Sequence, residues 1–208
     1  MGRVVTNTGY TYSFDDYLDM GESVAGDNES LKRLVKATRV FCTAAQINFK
    51  SNGYENYDVS NDVKNITADT LADYLYSEDG TLPTGITKVT TALAIQSNNV
   101  LRVKFTFAKA PSDLSKYTCT IDGNKANLIK QSSKVYYVEL SGIAAKALDE
   151  EHVFTISDGV NTYTTNRSAF TFIYDSLSNP EYADMTDTLN VLKSMYEYNQ
   201  AAKEYFNA

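Results

Sequence analysis

The hydrophobic period of this chain changes twice, and that change constrains the fold more than any other feature. From Ser13 to Lys50 apolar residues recur at spacings of three and four, the mark of helices with one buried face. From Ile86 to Thr165 they alternate with polar neighbours, the mark of strands buried on one side. From Asn166 to Phe206 the helical spacing returns. A chain so ordered sets a run of strands between two runs of helices, an α+β architecture. Its 208 residues allow one large or two small domains and a substantial core.

The helical stretches can be read further. Ser13 can cap a first short helix, answered by Asp16 three residues on, with Tyr17 and Leu18 turned inward. Asp27 or Asn28 can cap a longer helix through Lys50, whose stripe is Leu31, Leu34, Val35, Thr38, Phe41, Ala44, Ala45 and Phe49. Residues 51–65 form a polar loop, and a short helix from Ala68 to Tyr76 ends in a linker from Ser77 to Gly85. Near the other end, Asn166 can cap a helix with Ala169, Phe172, Ile173 and Leu177 inward, stopped before Pro180. A last helix from about Asp187 to Phe206 turns Leu189, Leu192, Met195, Tyr198, Ala202 and Phe206 inward.

Between them, alternation and the turn signals Asn98-Asn99, Asp122-Gly123 and Asp158-Gly159 predict seven short strands, with residues 142–151 crossing over to His152. Seven antiparallel strands suit a β-sandwich of the immunoglobulin or fibronectin III kind. The expected division is 1–83 for the N-terminal helices, 84–166 for the sandwich and 167–208 for C-terminal helices packing back on the first segment.

Composition removes several function classes. With 3 Pro and 10 Gly the chain is neither disordered nor collagen-like. No apolar run approaches the roughly 20 residues of a membrane-spanning helix. The excess of 26 acidic over 19 basic side chains argues against nucleic acid, whose binding rests on phosphate neutralisation.

Catalytic chemistry finds few starting points. His152 is the one histidine, and its alternation with Phe154 and Ile156 puts it in the sandwich at a corner, a structural place. No nucleophile elbow, zinc-protease helix, phosphate loop or EF-hand is present. Asp15-Asp16 and Asp149-Glu150-Glu151 are adjacent residues that point apart, so they read as solvated surface. Cys42 and Cys119 read as buried small groups, with a bridge between them left open until geometry is known. The expectation is no enzyme, no metal and no cofactor.

Binding is the remaining class. Sixteen Tyr beside no Trp is an uncommon balance, and Tyr supplies rigid amphipathic contact area at recognition surfaces. Four copies are not claimed by the core pattern. Tyr54 and Tyr57 lie in the polar loop, Tyr163 is out of phase with the inward positions of its strand, and Tyr196 is off the stripe of the last helix. These are the candidate binding residues.

One internal repeat stands out. Residues 34–50 (LVKATRVFCTAAQINFK) align with 191–207 (VLKSMYEYNQAAKEYFN), so that Phe41 meets Tyr198, Ala44-Ala45 meets Ala201-Ala202, and Phe49 meets Phe206. Paired alanines let another helix come close while the flanking rings fill the groove on either side, so the two helices are expected to pack together. The element from Phe41 to Phe49 resembles the aromatic-Gly-Ala-Ala-Ala-Gln-x-Tyr-Phe helix of large surface proteins from gut Clostridia such as Ruminococcus, with Cys42 where that family has Gly. Tyr196 to Phe206 resembles the closing helix of the same module, and Tyr136 to Ile156 its strand-corner-strand run. The resemblance implies an extracellular location at the cell-wall surface, as part of a longer secreted protein with further domains. It implies no activity. The expected function is adhesion to a host protein, such as immunoglobulin or another secreted glycoprotein, or a structural spacer. A carbohydrate-binding module using exposed Tyr is the alternative.

Overall fold

The computed structural model describes residues 3–5, 11–51, 53–95 and 98–207, with side chains from Asp16 onward except that of Tyr54. In chain order its elements begin with β1 (Arg3–Val5), β2 (Thr11–Ser13), α1 (Phe14–Ala25), α2 (Glu29–Asn48) and α3 (Ser60–Val63). Nine strands follow: β3 (Ser77–Gly80), β4 (Ile86–Ile95), β5 (Asn99–Phe107), β6 (Thr118–Ile121), β7 (Asn124–Ala126), β8 (Ile129–Lys130), β9 (Val135–Ile143), β10 (His152–Ser157) and β11 (Thr162–Arg167). The chain closes with α4 (Ala169–Ser178) and α5 (Thr186–Asn207). These elements form two compact units, a helical one of Met1–Thr67 with Asn179–Ala208 and a β-rich one of Ala68–Ser178.

In the helical unit, Asn28 caps α2 by accepting the Leu31 amide at 2.9 Å. The antiparallel course of α2 and α5 follows from three contacts along their length. Arg33 meets Glu197 and Glu204 near one end, Phe41 stacks on Tyr198 in the middle with ring centroids 5.5 Å apart, and Thr188 donates to Asn48 at the other end. Phe41 and Tyr198 are equivalent in the sequence repeat, so the two helices meet through corresponding residues. Ala44, Ala201 and Ala202 are buried beside it, the close approach that paired alanines permit.

Three residues expected inside are not. Tyr17 is 69% exposed, because neighbours on a helix differ by about 100° and Leu18 takes the buried face. Phe49 is 60% exposed because the helix ends at Asn48, and Phe49, as its C-cap, leaves the stripe. Phe206, in the last turn of α5, is exposed to the same degree. The cap proposed at Ser13 rests on a side chain outside the described residues.

In the β-rich unit all pairings are antiparallel. One sheet has the order β3-β11-β10-β6-β7 and the other β4-β5-β9-β8. A single core joins them: Leu101, Val103, Phe105 and Phe107 from β5 and Tyr136 and Val138 from β9 pack with Cys119, Ile121, Phe154, Ile156 and Tyr163 from the other sheet.

Nine strands stand in these two sheets where the pattern predicted seven. The stretch read as one strand from Ala126 to Lys130 is two, because the chain leaves β6 through β7 and then changes sheet to pair β8 with β9. The added strand, β3, lies in the stretch read as a linker. The preceding segment, read as a helix to Tyr76, keeps only a single 3-10 turn, Ala68–Leu71. Ser168, not Asn166, caps α4: its hydroxyl accepts the Thr171 amide while Thr171 Oγ1 accepts the Ser168 amide, both at 3.0 Å. Asn166 still belongs to β11.

Candidate functional site

The four tyrosines do not converge. Tyr54 lies in a 3-10 turn, Tyr54–Asn56, and its side chain is outside the described residues. Tyr57, just after it, is 41% exposed, and Tyr196 is half-buried on α5; all three belong to the helical unit. Tyr163 belongs to the β-rich unit and is only 5% exposed. The reason lies in the preceding turn. Asp158 Oδ1 accepts the amides of Val160 and Asn161, so the strand starts at Thr162 and the phase counted from Val160 is reversed. Burial, reinforced by the Glu78 carboxylate, pushes the Tyr163 phenol up to about 12.

Tyr163 opens onto a polar corner that periodicity alone did not mark. Tyr163, Thr165 and Arg167 alternate inward along β11, so an arginine ends the buried face of a strand. Arg167 is 3% exposed; its Nη2 donates to Glu78 at 2.8 Å and its guanidinium stacks 3.5 Å over the Tyr76 ring. Asp175 on α4 is raised by burial, an effect the Arg167 charge opposes. Arg167 Nε and Tyr163 Oη are buried with no hydrogen-bond partner among the described residues. These groups tie β3 to β11, and Thr165 Oγ1 adds a bond to the Ser77 carbonyl at 2.8 Å. The phase counted from Val160 turns Arg167 outward, so the sequence pattern gave no signal for this corner.

A second cluster surrounds His152 at the start of β10. Asp122 and Gly123 turn the chain from β6 to β7 with φ of 51° and 78°, the left-handed pair that an Asp-Gly hairpin turn uses. The Asp122 carboxylate accepts the His152 Nδ1 proton at 2.7 Å and the Val153 amide at 2.8 Å. Burial would raise this carboxyl, but those two donors outweigh it and hold it below its ordinary value. The histidine is thus bonded to a turn, where it fastens two hairpins together. Asp122 also lines an open cleft of about 350 Å³, together with Ile121, Lys125, Ile129, Glu139 and Leu140.

Cys42 and Cys119 form no disulfide with each other, so the open question of a bridge is answered. Burial pushes Cys119 up to about 12, and Cys42 is half-buried on α2. Among the described residues, no group of three or more His, Cys, Asp or Glu is placed to hold a metal ion, and no helix is long and apolar enough to cross a membrane. Three apolar side chains of α1, Tyr17, Met20 and Val24, are 69%, 53% and 74% exposed. No family model, no curated protein and no solved structure matches the chain.

Proposed function

We propose that the chain is a non-catalytic module of an extracellular bacterial surface protein, in which an immunoglobulin-like sandwich is joined to a helical hairpin, and that it binds a secreted host protein. The observation that carries this reading is strand order. In immunoglobulin-type sandwiches one sheet runs A-B-E-D and the other G-F-C, with C′ added in some. Lettered from β4, the two sheets here run A-B-E-D and G-F-C-C′, and β3 is an extra strand beside G. The same lettering places His152 at the start of strand F, where such sandwiches carry a corner tyrosine hydrogen-bonded to nearby backbone. The one histidine is held by Asp122 in a turn that joins two hairpins, and Tyr17, Met20 and Val24 stand exposed on α1.

The test is capture. The folded chain is immobilised and exposed to intestinal secretions containing immunoglobulins and mucins, and bound proteins are identified by mass spectrometry. One enriched host protein, rebinding saturably when purified, is the expected result. Mucin capture competed away by free glycans would transfer the reading to a carbohydrate-binding module. An empty result from folded chain would leave a structural spacer.

A further inference from the structure

We infer that the outer face of the sheet formed by β4, β5 and β9 is the docking surface of this module, and that it receives an acidic patch of a partner protein. The inference rests on the reading of the chain as a binding module and names the surface and partner chemistry which that reading leaves open.

Register decides which side chains share this face. Leu101, Val103, Phe105 and Phe107 of β5 lie in the core, so Arg102, Lys104 and Thr106, which alternate with them, project from the other side of the sheet. Directly opposed residues of an antiparallel pair stand on one face. Lys104 is opposed by Thr90 on β4 and by Tyr137 on β9, Arg102 by Glu139, and Thr106 by Lys88. Lys88, Arg102 and Lys104 thus stand on one side of the sheet with a single carboxylate, in a chain whose formal charge is -7.

That carboxylate is already taken. Glu139 Oε2 accepts from Arg102 Nε at 3.1 Å, while Lys88 and Lys104 have no ion-pair partner among the described residues. On α2, by contrast, acids within the fold answer the cations: Glu29 meets Lys32, Glu197 and Glu204 meet Arg33, and Asp19 meets Arg39. The face of the sheet therefore keeps a positive field that its own residues do not cancel. Beside Lys104, the Arg102 guanidinium lies 4.8 Å over the Tyr137 ring, so each holds the other in place before a partner arrives. Tyr and Arg are the side chain types that most often anchor a protein interface.

Charge selects the occupant. A polyanion, whether nucleic acid or sulfated glycan, binds by neutralising many charges at once, and two unanswered lysines are few for that. The acidic remainder of the chain repels it at long range, and repels a second copy in the same way. A protein surface with a few carboxylates needs no more than this face offers. Complementary charge brings such a partner to this side of the module and orients it there.

The experiment uses the full chain with a benzophenone amino acid in place of Thr90, and a control with the same group in place of Thr118, exposed on the other sheet. Each is irradiated alone, with heparin, and with the intestinal secretions. The expected result is a crosslink specific to position 90, to one secreted protein, at a stretch of that protein containing Asp or Glu. That protein, purified, should bind wild type and Lys104→Arg alike, and lose about tenfold or more in affinity for Lys104→Glu, with weaker binding as salt rises. Lys88→Glu, on the exposed end of an edge strand, should repeat the loss, and circular dichroism shows that each variant is folded. Lys125→Glu makes the same change of charge on β7 of the other sheet and should bind like wild type. A host protein captured equally by wild type and both folded glutamate variants, Lys88→Glu and Lys104→Glu, overturns the assignment to this face while leaving the binding reading intact. An equal loss with Lys125→Glu overturns it too, since net charge alone would then account for the effect. Crosslinking of the chain to itself, or to heparin, overturns the choice of partner. No crosslink and no capture by folded chain overturns both readings together.

Discussion

A single carboxylate, Asp158, closes one end of the β-rich unit. It accepts the amides of Val160 and Asn161 from its own turn and that of Thr84, at 2.8 Å, from the segment leading into β4. These three donors hold it down to about 2. A carboxyl lowered in the folded state stabilises the fold above its unfolded value near 4 and loses that contribution as pH falls through the folded value. Asp158→Asn replaces one acceptor oxygen with an amide that cannot accept from a backbone N–H. The variant should therefore be less stable than wild type at pH 7, with the difference shrinking between about pH 4 and pH 2 as the wild-type carboxyl takes up its proton. Urea midpoints across that range are the measurement, and a difference independent of pH would show that the charge of Asp158 contributes nothing. The turn was legible in Asp158-Gly159, but its reach to Thr84 was not, because it joins positions 74 residues apart.

Among the elements, β3 was the least legible. Its four residues, Ser77–Gly80, are all exposed and carry no alternation, so no pattern of burial could reveal them. What makes them a strand is their partner: Glu78 answers the buried Arg167, and Gly80 fits where nothing larger can. Gly80 has φ of 82°, and a Cβ there would stand 2.2 Å from the Thr162 carbonyl oxygen. Gly80→Ala meets both a left-handed backbone cost of about 1–2 kcal/mol and a clash with main chain that cannot rotate away. The expected outcome is local: β3 lifts from β11, and hydrogen exchange speeds up at the Thr81 amide, which is bonded to Thr162 at 2.8 Å, while the β5 and β9 amides stay protected. Uniform loss of protection would mean that β3 is part of the cooperative core. The long, periodic elements fared otherwise. The start of α2 and the alternation of β5 and β10 followed from their residues, since each buries one face against a neighbour, whereas α2 stops two residues short of Lys50. The phase of β11 did not, because the turn before it hid where the strand begins. The candidate site was the least legible part. Exposure of tyrosines was inferred from loops and phases, whereas the exposure of Tyr17, Met20 and Val24 depends on which face of α1 meets α2.

At the scale of the molecule, the two units are threaded unequally through the chain. The β-rich unit is continuous, Ala68–Ser178, and every member of its core cluster comes from within it. The helical unit is assembled from both ends of the sequence, with α5 supplying Val191, Leu192, Met195, Ala201 and Ala202 as buried residues. The same division explains why the repeat was informative: related helices far apart in sequence had to meet, and they do so through Phe41 and Tyr198. Ending the chain at Asn179 tests this arrangement. The truncated protein loses α5, and each buried aliphatic side chain removed forgoes roughly 1.5–3 kcal/mol of burial. Removing the partner helix also bares the α5-facing side of α2, Phe41 included. Its helical circular dichroism should fall by more than the share of α5 alone, and it should aggregate on warming. The β-rich unit, with its core complete, should keep slow-exchanging amides in β5, β9 and β10. Adding residues 180–208 as a separate peptide should restore solubility if the antiparallel pair is what holds the helical unit together. Retention of a cooperative helical transition without α5 would refute that packing, and loss of β protection would show that the two units fold as one.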